Sequence, residues 1–305
     1  MSELSYQPSS LPLVTILMNC YNGERYLREA IDSVLGQTYK NWELIFWDNR
    51  STDSSASIFK SYDDTRLKYF YAENHTLLYE ARNLALKKAN GQLIAFLDVD
   101  DCWFADKLER QVTLFANSDV GFACSNYFVI NQSRQRKRLA HKKIMPDGNV
   151  LEILLKDYYV GLLTLIVRRQ AISGYIKTFG DAYHIIGDFD LAIRLASEWK
   201  MAYTKEPLAI YRIHGNNEST KHLRTAILEI EGWLKQYSLH MNIGNAKNFR
   251  WVKIRLTYLR FFDNLLSNRR LLAFKNFLEL PYCALKVRAM FVLFLPKRAI
   301  QLLKN

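Results

Sequence analysis

The segment Leu93-Ile94-Ala95-Phe96-Leu97 is an apolar run that stops at three carboxylates, Asp98, Asp100 and Asp101. A run of this length suits a buried strand. Three anions crowded at a strand's exit repel one another unless a cation neutralises them. Hard oxygen ligands suit Mg²⁺ or Mn²⁺, and such an ion keeps coordination positions open for substrate phosphates. The pattern predicts a metal–diphosphate site at the end of a central strand. The plainer alternative is a solvated acidic turn capping the helix that starts near Asp106.

Two more apolar runs end in polar residues, Asn19-Cys20-Tyr21-Asn22 and Asp48-Asn49-Arg50-Ser51. In open α/β sheets, ligands bind at the carboxyl ends of strands, so all three ends converge on one crevice. Tyr21 could stack on a nucleobase, Asp48 or Asn49 could read its edge, and the acidic triplet could hold ribose and metal. Arg82, on the helix before the 93–97 run, could pair with a diphosphate. A second acidic cluster, Gly187-Asp188-Phe189-Asp190, opens an amphipathic helix. Asp188 there is either an N-cap or a general base for an incoming hydroxyl. Tyr211-Arg212-Ile213-His214 ends a strand-like segment just before Gly215-Asn216-Asn217, and His214 could be a metal ligand or a phosphate partner.

The elements that must position these residues follow from periodicity. Strands are expected at Leu13–Met18, Trp42–Trp47, Leu67–Tyr71 and Leu93–Leu97. Helices are expected at Arg25–Leu35, Ala56–Tyr62 (with Ser51-Thr52-Asp53 as N-caps) and Tyr79–Ala89, closed by Asn90-Gly91. Strands alternating with helices predict an α/β fold, a mostly parallel sheet covered on both faces. Beyond residue 118 the pattern predicts strands at Val120–Ile130 and Leu162–Val167 and a helix at Ile186–Trp199. An extended return spans Met201–His214. Between the two strands, Arg134, Arg136, Lys137, Arg138, Lys142 and Lys143 form a basic segment expected to be a mobile loop. After Asn217 the chain reads as helical.

Residues 1–220 carry 26 basic and 26 acidic side chains, whereas residues 221–305 carry 16 and 4, so the net charge of +12 resides in the C-terminal part. Residues 285–303 interleave apolar side chains with Lys286, Arg288, Lys297 and Arg298, and Pro296 interrupts a continuous helix. Ala289–Pro296 is too short to span a bilayer. A basic, apolar-rich tail predicts peripheral contact with an anionic membrane, against the alternative of a helical extension packed on the domain or in a dimer. Cys20, Cys102, Cys124 and Cys283 are scattered, and no signal-peptide pattern opens the chain, which together suggest a reduced, cytoplasmic setting. Nucleic acid is disfavoured, because residues 1–220 are neutral and carry no recognition motif.

Pro12–Leu27 with Tyr21-Asn22-Gly23, Trp42–Asp53, Ala81-Arg82-Asn83 followed by Gly91, and Leu97-Asp98-Val99-Asp100-Asp101 together resemble the family 2 glycosyltransferases of the GT-A fold. Asp188 and Tyr211–His214 match later landmarks. The resemblance covers roughly residues 11–220. It implies a Rossmann-like GT-A domain over 1–220 followed by a helical region over 221–305. It also implies a nucleotide-diphospho-sugar donor, a Mn²⁺ or Mg²⁺ ion, and inverting transfer to a hydroxyl of a glycan or lipid-linked glycan. Surface polysaccharide or lipopolysaccharide synthesis is the implied setting, on the inner face of the cell membrane. Carried over, the donor set is Asn19, Tyr21, Asp48, Asn49, Arg82, Asp98 and Asp100; the metal set is Asp100, Asp101 and His214; the base is Asp188, with Asp190 as its competitor. One departure stands out: the family often has two carboxylates followed by Gly where this chain has Asp48-Asn49-Arg50, which leaves the donor base open.

Other readings explain less. A phosphatase of the dehalogenase class also ends an apolar strand in Asp-x-Asp, but the position that takes Thr or Val there is Cys102 here, and Tyr21 and Asp48 go unexplained. A sugar nucleotidyltransferase calls for a Gly-rich loop, yet residues 13–25 hold only Gly23. A membrane-associated, nucleotide-binding scaffold that has lost catalysis is the remaining alternative.

Overall fold

The computed structural model describes residues 11–131, 136–180, 183–214, 222–293 and 295. The first half is β1 (Val14–Cys20), α1 (Leu27–Leu35), β2 (Trp42–Asp48), α2 (Ser55–Lys60), β3 (Leu67–Tyr71), α3 (Leu78–Leu86) and β4 (Leu93–Phe96). These strands lie in the order β3-β2-β1-β4, and all three ladders are parallel. β1, β2 and β4 are buried along their whole length. A strand covered on both faces reads as a continuous apolar run, which is why its sequence is so legible. Alternate residues still serve opposite layers. Ile16, Met18, Leu44 and Phe46 pack with Leu27, Ile31 and Phe59 of α1 and α2. Leu17, Ile45, Trp47 and Phe96 pack with Ala81 and Ala85 of α3.

The second half is mixed. It holds β5 (Cys102–Trp103), α4 (Lys107–Val112), β6 (Val120–Asn131), β7 (Arg136–Leu139), α5 (Leu151–Lys156), β8 (Ile166–Arg168), α6 (Arg169–Ile172), α7 (Gly187–Glu198) and β9 (Lys200–Ile213). The sheet continues β4-β8-β6-β9-β5. β8 runs antiparallel to β4 and β6, β5 antiparallel to β9, and β6 parallel to β9. The mostly parallel sheet expected is parallel over β1–β4 and for β6 with β9, while the far side mixes directions.

Three local expectations change. The basic segment is not a loop over Arg136–Leu139: β7 pairs with β6, and all four of its residues are exposed. Arg134 lies outside the described residues. Leu162–Val167 divides into a 3₁₀ turn at Leu162–Thr164 and the short β8. Gly91 is not a helix cap, since α3 ends at Leu86. A Cβ on Gly91 would come within 2.5 Å of the Leu13 carbonyl oxygen and the Thr15 amide nitrogen, so only glycine lets β4 start against β1.

The C-terminal region is helical: α8 (Leu223–Tyr237), α9 (Met241–Gly244), α10 (Arg250–Leu266), α11 (Arg270–Glu279) and α12 (Ala284–Leu293). Ile227, Ile230, Trp233 and Tyr237 of α8, with Val252 and Leu256 of α10, belong to the same core as α3 and α7. Phe261, Leu265, Ala273, Leu280, Ala289 and Val292 form a separate small cluster. Gly215–Asn217, Phe294 and residues 296–305 lie outside the described residues.

Candidate active site

The carboxyl ends of β1, β2 and β4 open on a cavity of about 750 Å³. Asn19, Tyr21, Asn49, Arg82, Asp98, Asp100, Asp101, Asp188 and His214 all line it. Ten candidate positions were expected from the sequence, and Asp48 alone stays out of the wall. It is fully buried, and its carboxylate accepts hydrogen bonds from the Ser51 amide (2.7 Å) and the Tyr69 hydroxyl (2.7 Å). The short polar side chain at a strand's end closes a turn on its own backbone. Asn49 lines the cavity but is occupied too: its amide nitrogen donates to the Thr76 carbonyl (2.8 Å) and its amide oxygen accepts from the Thr76 amide (3.2 Å). Neither side chain offers an edge to a base in this arrangement.

The turn between β1 and α1 is tied to the turn between β2 and α2. The Asn22 amide donates to the Ser51 hydroxyl (3.1 Å), the Gly23 amide to that of Ser55 (2.9 Å) and the Glu24 amide to the Asp53 carboxylate (3.0 Å). Ser51 and Asp53, expected as helix caps, thus tie the two turns together. The Tyr21 ring is 55 % exposed and lies 4.4 Å from the His75 ring, centroid to centroid. The His75 ring nitrogen Nδ1 meets the Asn49 carbonyl at 2.9 Å. Asn19 is 8 % exposed, and its amide oxygen and nitrogen have no hydrogen-bond partner among the described residues. A buried, unsatisfied amide costs free energy that a polar ligand atom would recover.

The acidic loop is held from three sides. Arg82 sits in the middle of α3, 3 % exposed, and donates to the Asp98 carboxylate at 2.6 Å. His214 Nε2 lies 2.8 Å from the Asp100 carboxylate. The Arg212 amide donates to Asp101 at 3.0 Å, and its guanidinium reaches the Asp100 carbonyl (3.0 Å) and Glu29 on α1 (2.6 Å). Burial, then repulsion from Asp98, raises the Asp100 carboxyl above its ordinary range, against the pull of His214. Burial with repulsion from Asp100 and Asp98 raises Asp101 further.

The expected metal set does not meet as one group. Among the described residues, no three or more His, Cys, Asp or Glu side chains stand close enough to hold an ion by themselves. Asp101 is 2 % exposed and engaged by the Arg212 backbone. Asp98 and Asp100 nevertheless present hard oxygen donors beside His214 in a cavity with space for phosphates. Mg²⁺ in phosphate sites takes one or two carboxylates and completes its shell with water and substrate, so the chemistry fits a divalent cation arriving with a diphosphate.

Asp188 stands in the same wall-lining set, half-buried in the first turn of α7. It is not the N-cap, a position taken by Ile186. Its carboxylate accepts from the Phe189 amide (2.8 Å) and meets the Tyr79 hydroxyl at 3.2 Å. Burial raises its carboxyl, opposed by the Phe189 amide, Arg82 and Tyr79. Gly187 lets the Tyr79 ring lie against the start of α7, since a Cβ there would fall 2.7 Å from the ring. Asp190 faces away, as a helical separation of about 200° requires. It is 2 % exposed and accepts from Arg194 (2.9 Å) and Trp233 (3.1 Å).

Sequence reasoning missed the rest of the wall: His75, Thr76, Leu77, Tyr127, Val160–Leu163 and His184. His75 and Thr76 were findable, because the β3–α3 connection opens at the same sheet end as the other site loops. Val160–Leu163 were not, because that segment is apolar and reads as core.

The chain is similar to several known proteins. Residues 15–176 match the model of "Glycosyl transferase family 2". WfgD of Escherichia coli, a UDP-Glc:alpha-D-GlcNAc-diphosphoundecaprenol beta-1,3-glucosyltransferase, is 37 % identical over 167 residues, which is 55 % of this chain and 64 % of WfgD. TuaG of Bacillus subtilis, named for teichuronic acid biosynthesis, is 32 % identical over 222 residues, or 70 % of this chain and 84 % of TuaG. Among solved structures, the mannosyltransferase PcManGT of Pyrobaculum calidifontis, in complex with GDP-Man and Mn²⁺, superposes with a TM-score of 0.65 at 16 % identity, covering 97 % of this chain and 85 % of that one. That likeness carries the GT-A-like fold. With the family model spanning more than half of the chain and a cavity built at the strand ends where the family's motifs fall, the protein is a glycosyltransferase of family 2.

Proposed function

We propose that the protein transfers a sugar from a nucleotide-diphospho-sugar to a hydroxyl of a lipid-linked glycan by direct, inverting displacement. The observation that carries this reading is the placement of Asp188. It lines the same cavity as Asp98, Asp100 and His214, while Asp190 faces the core. Asp188 takes the proton of the acceptor hydroxyl as that oxygen attacks the anomeric carbon. Burial keeps its carboxyl poised rather than strongly acidic, against the lowering contact with Tyr79. Tyr21, with His75 packed against it, offers its exposed ring to the nucleobase, and Asn19 meets a polar atom of the donor. Asp98 and Asp100 with His214 would hold a divalent cation, which when bound relieves charge on the leaving diphosphate. Asp101 acts from behind, fixing Arg212 rather than ligating.

WfgD is named for UDP-Glc and a GlcNAc-diphosphoundecaprenol, and this supports UDP-glucose as the donor to try first and a GlcNAc-diphosphoryl lipid as the acceptor. Assembly of a surface polysaccharide is the corresponding setting. Among the described residues no helix is long and apolar enough to cross a membrane. Leu271, Phe274, Leu278, Val287, Met290 and Phe291 are nonetheless exposed on α11 and α12, beside Arg270, Lys275, Lys286 and Arg288. That surface suits peripheral binding to anionic lipid.

The test is sugar transfer from UDP-glucose to the synthetic lipid, with Mn²⁺, for wild type and Asp188→Asn. The variant should lose at least a hundredfold in kcat while binding UDP within twofold of wild type. Wild-type turnover in Asp188→Asn would sink the base assignment.

A further inference from the structure

We infer that Glu229, on the C-terminal helix α8, is a positioning residue for the reaction, holding the backbone that carries Asp188; this rests on the assignment of Asp188 as base. The chain enters α7 through His184, Ile185 and Ile186, whose three consecutive amide groups all point one way. Glu229 receives all three: Oε1 accepts from His184 (2.6 Å), and Oε2 accepts from Ile185 (2.9 Å) and Ile186 (3.0 Å). A helix leaves its first amides without intrahelical partners, and a carboxylate there is a strong, charge-assisted acceptor.

Two further bonds from the same helix extend the grip. Trp233, one turn on from Glu229, donates to Asp190 at 3.1 Å. Gln236 accepts from the Tyr183 hydroxyl at 3.2 Å. Spacings of four and three residues place Glu229, Trp233 and Gln236 on one face of α8. That face fastens both ends of the 183–190 segment, from which His184, Ile185 and Asp188 line the cavity. The segment is linked onward to the donor side. The Tyr79 hydroxyl meets both the Ile185 carbonyl (3.1 Å) and Asp188, and one turn along α3 from Tyr79 stands Arg82, bonded to Asp98. The position of Asp188 is therefore set by a helix that the family's matched segment, residues 15–176, does not include.

A misplacement of about 1 Å in a catalytic group can cost a hundredfold in rate without affecting a distant binding contact. The experiment compares Glu229→Ala, Glu229→Gln and wild type, with Glu231→Gln as a control on the opposite face of α8, where Glu231 pairs with Arg260 at 2.6 Å. It measures kcat and donor KM for UDP-glucose transfer, UDP affinity by calorimetry, and amide hydrogen exchange at residues 184–186. Glu229→Ala should lose about 30- to 100-fold in kcat, keep donor KM and UDP affinity within twofold, and exchange faster at 184–186. Glu229→Gln, which retains one accepting oxygen, should recover part of the rate, and Glu231→Gln should match wild type. A kcat within twofold of wild type in Glu229→Ala would overturn the inference. So would a joint collapse of kcat and UDP affinity, the mark of a merely structural loss. Absence of transfer by the wild-type protein would count against the proposed donor and acceptor, whereas unaltered exchange at 184–186 in Glu229→Ala would overturn the clamp itself.

Discussion

Arg50 shows how a single residue departs from its family and what that costs. It occupies the place where the family often has Gly, and its φ of 73° lies in the left-handed region. A side chain there carries a penalty of about 1–2 kcal/mol, partly offset by the guanidinium's seat 5.2 Å from the Tyr71 ring. Arg50→Gly should therefore raise stability by about 0.5–1 kcal/mol, read as an increase in Tm; a fall in Tm would show that the Tyr71 contact outweighs the strain. Asp188 sets a second expectation. Its carboxyl is raised above the ordinary 3.8, and only the ionised form accepts a proton. The kcat profile should have an acid limb with its midpoint above 3.8, activity falling as pH drops through it. A profile flat to pH 4 would rule Asp188 out. Most site residues were legible at this scale, because polar side chains ending apolar runs have no packing reason to be there. Asp48 shows the ambiguity that remains, since a carboxylate that closes its own turn has the same sequence signature as one that meets a ligand.

At the scale of elements, the parallel strands are pinned at the end away from the site. Glu43 on β2 accepts from the Thr15 hydroxyl on β1 (2.6 Å), from Lys68 on β3 (2.5 Å) and from the Asn90 amide before β4 (2.7 Å). Burial alone would raise its carboxyl, but Lys68, Thr15 and Asn90 together outweigh it and bring it down to about 2. A lowered carboxyl stabilises the fold above its ordinary value of 4.5, and the contribution fades as pH falls from 4.5 toward about 2. Discounted for the half-exposed Lys68, this is about 2 kcal/mol. Glu43→Gln should lose about that much at pH 7 and show a flatter stability profile between pH 5 and 3. Equal slopes in both proteins would refute it. β1, β2 and β4 were readable within one or two residues because burial on both faces makes them largely apolar. β7 was not, since Arg136–Leu139 carries the composition of a solvated loop and becomes a strand only because β6 offers it an edge.

At the scale of the molecule, the charge asymmetry and the exposed apolar side chains fall on the same helices. α11 and α12 expose Leu271 (88 %) and Phe291 (68 %) within a region holding the whole net charge. The protein should pellet with anionic vesicles at low salt and be released as salt rises, because the Debye length shortens. Leu271→Gln with Phe291→Gln should weaken pelleting at least tenfold without altering UDP affinity. Retention of pelleting in the double variant would point away from these helices.

The sequence by itself determined the family, the parallel half of the sheet and the crevice at its strand ends, because buried strands and motif spacing are local properties of the chain. Only the tertiary structure decided which carboxylates face the cavity. Asp188 and Asp190 differ by two positions, yet one meets the cavity and the other meets Arg194 and Trp233. Tertiary structure also drew part of the C-terminal region out of the tail that its charge suggested. α8 enters the core through Ile227, Ile230 and Trp233 and sends Glu229 to the amides that lead into α7, a contact spanning more than forty residues. Helical periodicity announces that α8 has an apolar face but carries no information about which backbone amides will meet it, since that depends on where the rest of the chain has folded.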